Sequence, residues 1–154
     1  MLKILIVDDE SHARNYLSKS LDLLYPNKIN FVGECNSVKD AVKCINQVKP
    51  DIVFLDIQMP DQNGFELLNY FEEINFEIIF TTAHKEYAID AIKMSAFDYL
   101  LKPIDLKELE ETIFRFEKAK SEINHFEKFK LLIENLDLKN TSDALQDRVI
   151  QTYN

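Results

Sequence analysis

Short apolar runs alternate along the chain with longer stretches whose apolar residues recur at helical spacing. The runs, at 2–7, 29–35, 51–55, 77–81 and 97–101, are rich in Ile, Leu, Val and Phe and predict five β-strands. The first, third and fourth are nearly continuous in apolar residues, as strands covered by helices on both faces should be. Between them, Ala13, Leu17, Leu21 and Leu24, then Val38, Ala41, Val42 and Ile45, mark the buried sides of two helices. Ser37 reads as a helix cap, and a turn over 60–63 leads into a third helix at Gly64. The alternation predicts an α/β (βα)5 unit on a parallel sheet. Right-handed crossovers bring the C-terminal ends of all strands to one edge, where ligands of such sheets bind.

That edge is acidic. The first strand runs into Asp8, Asp9 and Glu10, and the third into Asp56. Two carboxylates about 4 Å apart repel by roughly 4 kcal/mol at an effective dielectric of about 20, so the cluster wants a shared proton or a cation. Mg²⁺ suits oxygen ligands and completes its shell with phosphate oxygens, which points to phosphoryl chemistry. The fourth strand ends in Thr81-Thr82 and the fifth runs into Lys102-Pro103, adding a hydroxyl and a cation that can meet phosphoryl oxygens. The turn suits a cis Lys102-Pro103 bond. With two glycines in the whole chain, a phosphate-cradling glycine loop is excluded, and neither a Ser/His/Asp arrangement nor HExxH is present. Asp56 is then the nucleophile to expect, through an aspartyl phosphate.

Composition narrows the setting. At 154 residues the chain suffices for one core with a small appendage, and 46% hydrophobic with 29% charged residues is a globular balance. No apolar run approaches the roughly 20 residues of a membrane span, and the acidic N-terminus does not read as a signal peptide, so a cytoplasmic protein without a membrane partner is expected. Cys35 and Cys44 form no metal-ligand spacing and read as small buried hydrophobes. A formal charge of −9 argues against general nucleic-acid binding and towards protein partners.

The segments ILIVDDE, PDIVFLDIQMPDQNG, TTA and DYLLKP resemble response-regulator receiver domains of two-component systems in order and spacing, over about residues 1–120. The resemblance implies a flavodoxin-like fold with strand order 2-1-3-4-5. It implies that Asp56 accepts a phosphoryl group from a sensor histidine kinase, and that Mg²⁺ is held by Asp8, Asp9, Asp56 and the Gln58 backbone carbonyl. Lys102 would pair with the phosphoryl group, Thr82 would turn towards it, and Tyr99 would move inward behind Thr82. Gln58 and His84 occupy rim positions that tune phosphoryl lifetime in this family; a solvated loop histidine is the plainer reading of His84. Tyr87, Ala88, Ala91 and Ile92, with Leu109, Ile113 and Phe116, would serve the core first, while the face of helix four, strand five and helix five would meet partners, a homodimer on phosphorylation among them.

The segment TAHKEYAIDAIKMSAFDYLLKPI resembles the LytR/AlgR type, whose receivers precede a LytTR DNA-binding domain. Residues 121–154 are too few for that domain, so the expectation is a receiver over 1–120 with a helical tail, the effector either removed or never present. DNA would be reached only through that missing domain. The alternative is a stand-alone receiver acting by protein contact or as a phosphoryl sink. An Asp-nucleophile phosphatase would want an acid where Gln58 stands. Apolar residues continue at Ala119, Ile123, Phe126, Phe129, Ile133 and Leu136, but the stripe drifts by about 80° every ten residues, which disfavours a straight coiled coil. The stretch from Ile123 to Leu136 is expected to face another surface, such as a second copy, and 135–143 to break the helix. From Ser121 onward four Lys or Arg face six Asp or Glu, leaving no basic footprint for a duplex.

Overall fold

The computed structural model describes residues 1–136. Its elements are β1 (Leu2–Val7), α1 (Ser11–Leu24), β2 (Ile29–Cys35), α2 (Val38–Val48), β3 (Ile52–Asp56), a 3₁₀ segment (Gly64–Tyr70), β4 (Glu77–Thr82), a 3₁₀ turn (Lys85–Tyr87), α3 (Ala88–Lys93), β5 (Asp98–Leu101) and α4 (Leu106–Asn135). The five strands form one parallel sheet in the order β2-β1-β3-β4-β5, the expected flavodoxin-like arrangement. The chain divides into a compact unit over Met1–Thr112 and a second from Ile113 onward.

The apolar patterning explains the sheet's burial. Ile4, Leu5, Ile6 and Val7 of β1 and every residue of β3 are buried, because helices cover both faces. Leu17 and Leu21 of α1, and Val38, Ala41 and Ile45 of α2, are buried as their spacing predicts. The Ser37 side chain accepts a hydrogen bond from the Asp40 amide and so caps α2. Cys35 is buried and Cys44 half-buried, both as free thiols. Burial, followed by the neighbouring Cys44, pushes the Cys35 thiol up to about 12, so it stays protonated and packs as a small hydrophobe.

The expected third helix is not an α-helix. Phe65, Leu68 and Phe71, three residues apart, all pack against the core cluster, and a spacing of three matches the turn of a 3₁₀ helix rather than 3.6. The fourth helix covers Ala88–Lys93, with Tyr87 in the 3₁₀ turn before it, and Ile92 departs from its expected core role. Ala91 is buried, whereas Ile92 is 74% exposed, because the six residues of α3 present only one side inward. Leu109, Ile113 and Phe116 of α4 are buried. Further along α4, Ile123 and Phe129 are exposed and Ile133 is buried, and Leu136 just beyond the helix is exposed. The helix ends at Asn135; the remainder of the expected polar break lies outside the described residues. Among the described residues no helix is long and apolar enough to cross a membrane.

Candidate functional site

Strand order decides which residues meet. β1, β3, β4 and β5 are neighbours, with Val7 opposite Leu55, Asp56 opposite Thr81 and Thr82 opposite Leu101. Asp8 directly after β1, Asp56 and Thr82 at their strand ends, and Lys102 directly after β5 therefore share one edge. Each of Asp8, Asp9 and Asp56 offers a carboxylate oxygen, and these oxygens lie within 4.8 Å of one another. Lys102 Nζ donates to Asp8 Oδ2 at 2.7 Å and stands 3.6 Å from Asp56 Oδ1. The Lys102-Pro103 peptide is cis, and the Lys102 amide donates to the Thr82 carbonyl at 2.7 Å. The lysine side chain is thus aimed from a fixed strand end.

Asp8 and Asp56 are buried, while Asp9 is the most solvent-exposed of the three. Burial raises the Asp56 carboxyl, the charge of Asp8 adds to the rise, Lys102 opposes it and Asp9 reinforces it, leaving the group at about 7. For Lys102, burial disfavours the charge, but the Asp8 hydrogen bond and the charges of Asp56 and Asp8 outweigh it and raise its pKa. Three carboxylates face one lysine, so the cluster remains short of positive charge. Its donors are all carboxylate oxygens, a set that fits a hard divalent cation such as Mg²⁺.

The backbone around the cluster is tightly made. Glu10 N–H donates to Asp8 Oδ1 at 3.0 Å, and Arg14 Nη1 to the Asp8 carbonyl at 2.7 Å. The Gly64 amide donates to the Ile57 carbonyl at 2.8 Å, and a Cβ at Gly64 would press on the Asp56 carbonyl oxygen. A cavity of about 470 Å³ opens over Asp8, Asp56, Thr82 and Lys102 and extends along α1 past His12, Ala13 and Tyr16.

Gln58 lines this cavity, with its side chain donating to the Tyr87 hydroxyl at 3.2 Å. His84 is half-buried; its Nδ1 lies 3.4 Å from Glu86, and its amide donates to Thr82 Oγ1 at 3.2 Å. Tyr99 is half-buried, and its hydroxyl donates to the His84 carbonyl. Burial, then the charge of Glu86, raises the Tyr99 phenol, which keeps it a donor.

Sequence reasoning missed Arg14, Tyr16 and Tyr87. Arg14 had a usable signal: it lies three residues before Leu17 and seven before Leu21, a charge on the apolar side of α1. The Tyr16 hydroxyl donates across the cavity wall to the Ile104 carbonyl at 2.9 Å. Tyr87 looked like an ordinary core aromatic.

Residues 4–114 match the family described as the response regulator receiver domain. The chain is 41% identical over 122 residues to the sensory transduction protein LytT of Bacillus cereus, covering 78% of this chain and 49% of that protein. It is 44% identical over 122 residues to the transcriptional regulatory protein BtsR of Salmonella typhimurium, covering 79% and 50%. The chain thus spans about half the length of the curated relatives it matches. Among solved structures, the response regulatory domain of protein mrkE from Klebsiella pneumoniae superposes with a TM-score of 0.71 at 30% identity, covering 79% of this chain and 99% of that one. The REC domain of AraT from Geobacillus stearothermophilus gives 0.69 at 32% identity, covering 79% and 97%. With strand order, site edge and sequence all in agreement, the chain belongs to the response regulator receiver domain family.

Proposed function

We propose that Asp56 accepts a phosphoryl group from the phosphohistidine of a sensor histidine kinase. A carboxylate oxygen of Asp56 forms the new bond to phosphorus as the bond from phosphorus to the donor imidazole breaks. The observation that carries this reading is the convergence of the Asp8, Asp9 and Asp56 oxygens within 4.8 Å beside the Lys102 ammonium. Asp8, Asp9, Asp56 and the Gln58 backbone carbonyl would hold Mg²⁺. When bound, the ion supplies positive charge beside the phosphoryl oxygens. Lys102 adds a second cation on the same side, and Thr82 offers a hydroxyl to the incoming oxygen. Asp56 must be ionised to attack, and any cation in the cluster works against the burial that holds its proton.

The domain then acts as a phosphoacceptor that catalyses only its own phosphorylation and dephosphorylation and signals through the face of α3, β5 and α4. The named relatives and the LytR/AlgR-like segment at 82–104 support a regulatory role in a transcription regulator of that type, with residues 1–120 as receiver, 121–154 as an extension, and DNA met by a separate effector. A cytoplasmic setting goes with that role. Intact-mass measurement after incubation with acetyl phosphate and Mg²⁺ tests the core of the reading: the wild type gains one phosphoryl group and Asp56→Asn none. Equal modification of the two proteins overturns it.

A further inference from the structure

Tyr87 touches both ends of the loop that follows the phosphoacceptor. Before the loop, Gln58 Nε2 donates to the Tyr87 hydroxyl at 3.2 Å. After it, Phe65 meets the Tyr87 ring at a centroid distance of 6.0 Å and an interplanar angle of 60°. Phe65 in turn packs at 4.8 Å on Phe80, which is fully buried in β4. The Tyr87 ring also meets His84 edge-on at 6.3 Å and 88°. The phenol is therefore fixed by aromatic packing before it makes any hydrogen bond, so accepting from Gln58 costs it little further ordering.

Gln58 is different. It is exposed and reaches into the cavity wall, so without a partner its carboxamide would sample several rotamers over the site mouth. Tied to Tyr87, the amide is turned towards the segment after β4, and one of its two N–H donors is occupied. Its backbone carbonyl is left where it was. A carboxamide so held spends less of its time over the site mouth.

We propose that Tyr87 is a positioning residue that restrains the Gln58 carboxamide and thereby lengthens the life of the phosphoryl group on Asp56. The proposal rests on the phosphoacceptor reading of Asp56. It deepens that reading by naming a residue outside the cavity that governs water attack on phosphorus. The hydrolytic step returns the Asp56 carboxylate and inorganic phosphate, with water supplying the oxygen that forms the new bond to phosphorus.

Tyr87→Phe keeps the ring against Phe65 and His84 and removes only the acceptor. After loading with acetyl phosphate and Mg²⁺ and removal of the donor, phosphoryl loss from Tyr87→Phe should run about threefold faster than from wild type, the scale of one exposed hydrogen bond. In a Gln58→Ala background the same change should have no effect, because there is no carboxamide left to release. The Gln58 side-chain NH₂ resonances of the unphosphorylated protein should shift in Tyr87→Phe. Equal rates, slower loss, an acceleration that persists in Gln58→Ala, or unmoved Gln58 resonances each overturn the proposal. A wild type that takes up no phosphoryl group refutes the phosphoacceptor reading itself, and the positioning role with it. That result is distinct from normal uptake with an unaltered lifetime.

Discussion

Lys102 Nζ lies 2.7 Å from Asp8 Oδ2 and 3.6 Å from Asp56 Oδ1, so one ammonium bridges the ends of β1 and β3. Asp8 and Asp56 are buried, and the lysine side chain is only 24% exposed. Lys102→Met should therefore leave two buried carboxylates without their cation. We expect the metal-free protein to lose about 2–3 kcal/mol in urea unfolding near neutral pH. Added Mg²⁺ should recover part of the loss. An unchanged unfolding midpoint would mean that the bridge contributes nothing net.

The pH dependence follows from Asp56. Its carboxyl rises from 3.8 to about 7 on folding, first through burial and then through Asp8, against the pull of Lys102. A raised carboxyl favours folding while it keeps its proton. The stabilisation is full below the unfolded value, shrinks as pH rises, and is lost above about 7. The rise bounds the effect at roughly 4 kcal/mol. Metal-free wild type should thus lose stability between about pH 4 and about pH 7, and Asp56→Asn should flatten that slope. Calorimetric Mg²⁺ titrations should show affinity falling below neutral pH in the wild type, where a proton competes for the same oxygen.

Asp9 is the carboxylate best separated from stability. It is the most exposed of the three, and its charge raises the Asp56 carboxyl. Asp9→Ala should weaken Mg²⁺ binding by about tenfold or more while leaving the metal-free fold as stable or more so. The same Mg²⁺ affinity in mutant and wild type would remove Asp9 from the ligand set.

The two glycines separate tolerable from intolerable crowding. A Cβ at Gly64 meets the Asp56 carbonyl oxygen and, at 3.1 Å, Leu55 Cγ, both fixed in β3. A Cβ at Gly33 meets Cys44 Sγ at 2.8 Å and Leu5 Cδ1 at 3.2 Å, which are side-chain atoms able to give way. Gly64→Ala should cost about 2–3 kcal/mol and slow phosphorylation by shifting Asp56, whereas Gly33→Ala should cost about 1 kcal/mol and leave phosphorylation alone. Equal losses for the pair would show that the Asp56 loop yields as easily as a thiol.

The sheet was legible because its strands are apolar runs bounded by polar breaks, and because strand ends in a parallel sheet share an edge. That logic alone brought Asp8, Asp56, Thr82 and Lys102 together. The misreadings came where several geometries share one pattern. The apolar spacing of Phe65, Leu68 and Phe71 suits a 3₁₀ turn as well as a loosely patterned α-helix, and only packing decides. Ile92 could not be told from a core residue because the length of α3 is not written in its sequence. Tyr87 was hidden for another reason. Its ring serves the core while its hydroxyl serves Gln58, and a sequence shows one residue type rather than two ends of a side chain.

A chain of hydrogen bonds runs from Thr82 through His84 to Tyr99 in β5. Thr82 Oγ1 accepts from the His84 amide at 3.2 Å, and the His84 carbonyl accepts from the Tyr99 hydroxyl. The Thr82 backbone is held by Lys102 N–H at 2.7 Å, so the hydroxyl can rotate while the strand end stays put. Rotation of the Thr82 side chain to donate its hydroxyl to a phosphoryl oxygen on Asp56 would carry Oγ1 away from the His84 amide. Drawing the hydroxyl away leaves the amide without its acceptor, frees the peptide chain at His84 to move, and takes the carbonyl from Tyr99. Thr82→Ala should still accept a phosphoryl group on Asp56, because the carboxylates and Lys102 remain. It should lose most of the phosphorylation-dependent change in amide chemical shifts across α3 and β5. Tyr99→Phe should keep the shifts near Thr82 and His84 but lose those in β5, since it breaks that chain of hydrogen bonds one link later. Full phosphorylation-dependent shifts in Thr82→Ala would show that the signal leaves Asp56 by another route.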